Sequence, residues 1–297
     1  MNIGIIGNGA WGGALATLVS KAGHQPRIGY REGGSGGFPG TPNFAMLSRE
    51  SDLILVAVPS TSVAEVIEAA QPGAGSMVVL ASRGLNPRTG GWLSDLILER
   101  TPCRRVGALT GPALASEVVR GRPTALVVAS SFDEVCVAAQ TALHSEHCRI
   151  YSSHDLHGVE LAGAMVKILA VALGVVKGID YGAGAMGVVV TRGIAEASRL
   201  GAALGAHSET FSGLAGVGDL VSAATSGDHP SFSAGLSLAR GGAVASRTIE
   251  QIRAVLALAE VHSIALPLTE AILAIATGEA SPTLAFDELM RRSARSE

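Results

Sequence analysis

Gly7-Asn8-Gly9-Ala10-Trp11-Gly12 is the feature that most narrows what this chain can fold into. It follows the short apolar run Ile3–Ile6 and opens the helical pattern Trp11–Ala22. In a strand–turn–helix context, the G-x-G-x-x-G spacing lets the backbone turn tightly and approach a pyrophosphate. The helix that follows presents free N–H groups and the positive end of its dipole to that phosphate. Gly7, Asn8, Gly9, Ala10, Trp11 and Gly12 are therefore expected to hold a dinucleotide, NAD or NADP. Arg31 and Glu32 fall where the ribose is read. An acid there favours NAD and an arginine accommodates the 2′-phosphate of NADP, so the pair leaves the choice open. Either residue also fits a solvated loop.

The pattern beyond that loop divides the chain in two. Pro26–Tyr30, Leu53–Val58, Met77–Ala81 and Ala125–Val128 read as strands, the second closed by Pro59. Helical stretches at Val63–Ala70 and Trp92–Glu99 lie between them. Continuous apolar strands separated by helices predict a doubly wound parallel sheet covered on both faces. From Asp155, a good N-cap, the signal becomes helical over 158–176, 185–205, 248–262, 267–277 and 282–292, with no further strand. This predicts a Rossmann domain over 1–154 and an all-helical substrate domain over 155–297. The Gly/Pro-rich stretch Glu32–Gly40 reads as a flexible surface loop.

Charge and composition exclude other classes. Net charge is −3, with 22 basic and 25 acidic residues, so no basic field exists for nucleic acid. Ala162–Val176, the most apolar run, is broken by Lys167 and reads as too short to span a bilayer. Cys103, Cys136 and Cys148 form no C-x-x-C pair and suit a reducing compartment, which with the absence of a signal peptide points to the cytoplasm. His144, His147, Cys148, His154 and His157 cluster in sequence, but H-x-x-H-C is not a zinc spacing, and no metal site is expected.

Several further segments resemble the bacterial NAD(P)-dependent glycerol-3-phosphate dehydrogenases. They are GNGAWGGALA (7–16), LVAVPS (55–60), LTGPALASEV (109–118), GRPTALVVAS (121–130), GVELAGA (158–164), TRGIAEASRLGAALGA (191–206) and GLAGVGDL (213–220). The resemblance implies a Rossmann domain followed by a helical domain of the 6-phosphogluconate dehydrogenase C-terminal type. It implies hydride exchange between a nicotinamide and a small phosphorylated ketone or alcohol, in carbohydrate and phospholipid metabolism. A homodimer formed through the helical domain is a further implication. Ala10, Trp11 and Ala115 match cofactor-side positions; Gly111 and Asp219 match substrate-side positions; Pro59 and Arg83 are also expected on the cofactor side.

Departures from the family pattern concentrate on the substrate side. The family's proton-donating lysine corresponds to Val166, six residues after Glu160, with Lys167 next to it. One helical step turns a side chain by about 100°, so Lys167 is no simple replacement, although its stem is long. The family's Ser-Arg-Asn-Arg stretch reads His229, Pro230, Ser231 and Phe232 here, which removes an arginine grip on phosphate. Arg83 stands for a lysine that meets both ligands, Ala113 for a polar residue, and the segment Arg31–Asp52 is short enough to lack the second Rossmann helix. Substrate contacts are thus expected from Arg83, Gly111, Ala113, His229 and Ser231.

The chain contains three lysines, so candidate proton donors are few. Lys167 is the first, unless it snorkels at a helix interface. Lys177 suits a helix carboxyl end. Asp219 can orient a donor, bind a hydroxyl or cap a helix. His229 has a suitable ordinary pKa but sits in a Gly-Asp-His-Pro turn, where a histidine is usually solvated. The alternative to an enzyme is a non-catalytic dinucleotide-binding homologue, a sensor or partner subunit.

Overall fold

The computed structural model describes residues 1–291. Its sheet contains β1 (Ile3–Ile6), β2 (Pro26–Gly29), β3 (Gly40–Thr41), β4 (Leu53–Val56), β5 (Met77–Leu80), β6 (Arg105–Thr110), β7 (Thr124–Ser130) and β8 (Cys148–Ser153). They lie in the order β3-β2-β1-β4-β5-β6-β7-β8. Every residue of β1 and β4 is buried, as continuous apolar strands between two helical layers should be. The helices of this half are α1 (Ala10–Lys21), α2 (Phe44–Arg49), α3 (Val63–Ala70), α4 (Leu93–Arg100), α5 (Ala115–Val119) and α6 (Asp133–Leu143).

Two details differ from the sequence reading. The shortened segment after Arg31 still contains β3 and the six-residue α2, so the second Rossmann helix is reduced rather than lost. Asn43 caps α2, its Oδ1 accepting from Met46 N at 2.9 Å. Phe44 and Leu47 bury against Gly29, where a side chain would not fit. The sheet is also not wholly parallel, since β6 and β7 pair antiparallel. Their connection carries only α5, whose five residues rise about 7.5 Å, against about 20 Å for six residues of strand. It cannot recross the sheet, so the chain turns back and leaves residues 111–116 at the carboxyl edge.

After β8 the described chain is helical: α7 (Leu156–Gly178), α8 (Gly182–Ala203), α9 (Ser208–Ser212), α10 (Asp219–Thr225), α11 (Pro230–Ala239), α12 (Ser246–Val261), α13 (Pro267–Thr277) and α14 (Pro282–Arg291). A π-helical turn, Leu214–Gly218, precedes α10. The expected helix end at Arg292 lies outside the described residues. Asp155 does cap α7, accepting from Gly158 N at 3.0 Å. It also accepts from His207 N at 3.0 Å and Thr210 Oγ1 at 2.5 Å, tying α9 to the start of α7.

α7 is the axis of this half. At 23 residues and a mean hydropathy of 2.1 over its most apolar window, it is long enough to cross a bilayer, contrary to the shorter run read from sequence. It is a core helix instead, with 94% of that window buried. Gly158 to Val176 are buried without a break except at Lys167. α11 packs on it backbone to backbone: a Cβ on Gly174 would strike the Phe232 carbonyl, and one on Gly235 the Val171 carbonyl. That close approach holds the start of α11 over the cleft side of α7.

The histidine cluster disperses over the surface. His147 meets Glu146, His154 meets Asp133, and His157 stacks on Trp92 with ring centroids 4.5 Å apart. Cys103, Cys136 and Cys148 are each buried and free.

Candidate active site

The glycine loop is fixed by close approach. Gly7 has φ +120°, and a Cβ on it would strike the Ala57 carbonyl at the end of β4. A Cβ on Gly12 would strike the Gly7 carbonyl, so α1 can start this close to β1 only with glycine there. Gly9, the N-cap of α1, has open space where its side chain would be and no side-chain cap above it. The amino end of α1 is therefore free to meet a phosphate, and the loop fits a dinucleotide. Asn8 plays a different part: its Nδ2 donates to the Glu32 and Gly34 carbonyls at 2.7 and 2.9 Å, pinning the Gly/Pro-rich loop.

A cleft of about 680 Å³ opens at the carboxyl ends of the parallel strands, where ligands sit in open α/β sheets. Gly9, Ala10 and Trp11 line one end. Pro59, Ser60 and Thr61 follow β4, Ser82 and Arg83 follow β5, and Ala113 to Ser116 follow β6. The helical half closes the other side with Lys167 of α7, Asp228 to Ser231 before and within α11, and Arg247, Thr248 and Gln251 of α12. Ser116 Oγ donates to Asp228 Oδ2 at 2.7 Å, a bond between the two halves.

Ten of the expected site residues thus meet in one cleft: Gly9, Ala10, Trp11, Pro59, Arg83, Ala113, Ala115, Lys167, His229 and Ser231. Gly7 and Gly12 shape it from behind. Arg31 stands apart, ion-paired at the surface with Glu65 at 2.8 Å. Asp219 and Gly111 lie behind Arg83, whose Nη1 meets Asp219 Oδ2 at 2.9 Å while Nη2 donates to the Gly111 carbonyl at 2.8 Å. Asp219 begins α10, but the guanidinium rather than a helix N–H holds its carboxylate. Burial pushes Asp219 up to about 6, outweighing the opposing effect of Arg83.

Lys167 points into this cleft. Its Nζ donates to the Arg83 carbonyl at 3.3 Å. Burial, with Arg83 and Arg247 nearby, lowers its pKa to about 8. His229 is not the solvated turn histidine expected from Gly-Asp-His-Pro. It is 5% exposed, because Pro230 starts α11 and α11 packs on α7. Burial and Arg83 lower its pKa to about 4, so it is neutral at pH 7 and holds no imidazolium proton to give. Lys177, exposed in the last turn of α7, takes no part.

The family matches agree with this geometry. The C-terminal family of NAD-dependent glycerol-3-phosphate dehydrogenases matches residues 155–287, and the N-terminal family matches 39–136. The glycerol-3-phosphate dehydrogenase [NAD(P)+] of Halorhodospira halophila is 35% identical over 325 residues, covering 99% of this chain and 98% of that protein. The enzyme of that name from Methylibium petroleiphilum is 35% identical, covering 100% of this chain and 98% of its own. A crystal structure of glycerol-3-phosphate dehydrogenase from Coxiella burnetii superposes with a TM-score of 0.91 at 28% identity, covering 98% and 99% of the two chains. The chain belongs to the NAD-dependent glycerol-3-phosphate dehydrogenase family.

Within that family it is an NAD(P)-linked oxidoreductase with a rearranged cleft. Val166, at the position matching the family's lysine, is 1% exposed and packs in the core of the helical half. The lysine that reaches the cleft is its neighbour. Pro230 and Ser231, which stand for the arginine and asparagine, line the cleft without a charge. The sequence reading missed Ser60, Asp228, Arg247, Thr248 and Gln251. For α12 a signal existed: Arg247 and Gln251 are four residues apart, on one helical face.

Proposed function

We propose that this protein exchanges hydride between NAD(P) and a small anionic ketone or its alcohol, dihydroxyacetone phosphate and glycerol 3-phosphate or a close relative. The observation that carries the reading is Lys167 Nζ in the cleft, the one break in the buried run Gly158–Val176. Bound reduced nicotinamide would supply the hydride. Gly9, Ala10 and Trp11 would hold its pyrophosphate, and Pro59, Ala113 and Ala115 would wall its path. Lys167, protonated at pH 7, would give its proton to the ketone oxygen as the alkoxide forms. In the reverse direction its neutral amine, available above pH 8, would take the alcohol proton. Asp219 would fix Arg83, whose carbonyl in turn orients the Lys167 amine. His229, as a neutral imidazole, and Ser231 would hydrogen-bond the substrate.

We extend the reading to a domain boundary at 154/155, supported by the change from sheet to helices there, and to a cytoplasmic homodimer. Tyr181 and Val188, exposed at 37% and 40% near the amino end of α8, support a partner face on the helical half. Light scattering on the purified protein measures the dimer directly. For the activity, NADH and NADPH are titrated by fluorescence, then reduction of dihydroxyacetone phosphate and other small ketones is followed by loss of the reduced nicotinamide. Turnover is expected. Tight cofactor binding with no turnover on any ketone would leave only the sensor or partner-subunit alternative.

A further inference from the structure

The cleft contains more positive charge than the proton transfer uses. Arg83, Lys167 and Arg247 line it. Arg83 is neutralised by Asp219, and Lys167 carries the transferable proton. Arg247 lies in the first turn of α12, near enough for its charge to depress Lys167. It has no acidic partner among the described residues. The acid that lines the cleft, Asp228, is engaged by Ser116.

Two further observations point to an absent oxyanion. One turn beyond Arg247, Gln251 is 3% exposed; its Oε1 accepts from Ser60 Oγ at 3.4 Å, and its Nε2 has no partner. A buried donor without an acceptor is rare in folded proteins and is readily explained by a missing ligand atom. α12 also begins at the cleft with Ala245 as its N-cap and no side chain satisfying its first N–H groups. Guanidinium, amide N–H and helix amino end are all donors, and a set of donors alone suits an oxyanion.

We propose that Arg247, Gln251 Nε2 and the amino end of α12 form the subsite that grips the anionic end of the substrate, a phosphate monoester. This rests on ketone reduction at Lys167. It moves the phosphate grip away from α11, where Pro230 and Ser231 carry no charge, to the next helix. The 2′-phosphate of NADPH is also a phosphate monoester, and the test separates the two sources.

The full-length protein and its Arg247→Ala and Arg247→Lys variants are compared in three assays. The first measures KM for dihydroxyacetone phosphate and for uncharged dihydroxyacetone with NADH. The second measures Kd for NADH and NADPH by fluorescence. The third titrates inorganic phosphate into the NADH complex by calorimetry. Arg247→Ala is expected to raise KM for the phosphorylated ketone roughly 10- to 100-fold, the loss of one charge-assisted contact. The KM ratio of the two ketones should collapse toward one, Arg247→Lys should restore part of it, and phosphate binding should disappear in the alanine variant. An unchanged KM ratio overturns the proposal, and so does a loss confined to NADPH affinity. If the wild-type protein reduces neither ketone, the functional reading fails, while the phosphate titration still decides the subsite: equal binding by wild type and Arg247→Ala overturns it.

Discussion

Replacing Lys167 with methionine should abolish activity and stabilise the fold, a combination a structural lysine would not give. The stem packs in α7 and methionine keeps most of it; what is lost is the ammonium. Its pKa falls from 10.5 to about 8. At 1.36 kcal/mol per unit, holding the charge in the cleft disfavours folding by about 3 kcal/mol. The hydrogen bond to the Arg83 carbonyl, about 1 kcal/mol, is separate from the burial and repulsion that lower the pKa and is lost in the variant, so a net gain of about 2 kcal/mol is expected at pH 7. Because the native amine loses its proton nearer pH 8 and the unfolded one nearer 10.5, the burden on wild type is complete below pH 8. It fades as pH rises between those values, and the advantage of the variant fades with it. Loss of a positioned proton donor should lower turnover by about 10²–10⁴. The assays are steady-state reduction of dihydroxyacetone phosphate and urea unfolding at pH 7 and pH 10. A Lys167→Met protein with wild-type turnover, or one that loses activity and stability together, would refute the assignment.

Other consequences follow from single contacts. Gly12→Ala should abolish NADH binding in a fluorescence titration, because the new Cβ collides with the Gly7 carbonyl and pushes α1 off the loop. Arg83→Ala strands the Asp219 carboxylate in a buried site and should cost about 3–5 kcal/mol in chemical denaturation; in protein that still folds, removing that charge should move the Lys167 limb of the pH–rate profile upward. Glu160 accepts from Leu93 N and Ser94 N at 3.0 and 3.1 Å and from Ser94 Oγ, capping α4 from α7. Glu160→Ala should therefore cost about 2–4 kcal/mol by orphaning buried donors, measured by urea unfolding. Burial raises the native Glu160 to about 7, so wild type should lose stability relative to Glu160→Gln as pH climbs from 4.5 to 7, where the unfolded carboxyl ionises first.

The scaffold was legible wherever local chemistry and long-range packing agree. Ile3–Ile6, the glycines at 7, 9 and 12, and Asp155 each announce their role through neighbours in sequence, and each occurs where expected. β6 was missed because Arg105 and Gly107 interrupt its apolar run, and its strand state comes from pairing with β5 and β7. α11 was missed for a related reason. Its small residues carry little amphipathic signal, and what makes it a helix is Pro230 at its first turn and the glycine contact with α7. That contact also buries His229, which a reading of Gly-Asp-His-Pro alone leaves in solvent. Charge placement in the cleft was the least legible part, because Arg83, Asp219 and Arg247 meet across elements far apart in sequence.

The exchange at positions 166 and 167 shows why motif position and chemical position can separate in this fold. A step of about 100° on an exposed helix would send a side chain to a new face. Between Gly158 and Val176 every residue of α7 but Lys167 is buried: residues on both sides of it are packed, and Val166 occupies the core. A lysine at 167 has one polar outlet, and its four-carbon stem carries the amine there, to the Arg83 carbonyl. The same packing that excludes valine from the cleft delivers its neighbour to it. On the proposed assignment, the proton donor is the amine that stands where α7 is open, whichever residue number carries it. The anion grip follows the same logic, since α11 and α12 both begin at the cleft and a cation on either can face its contents.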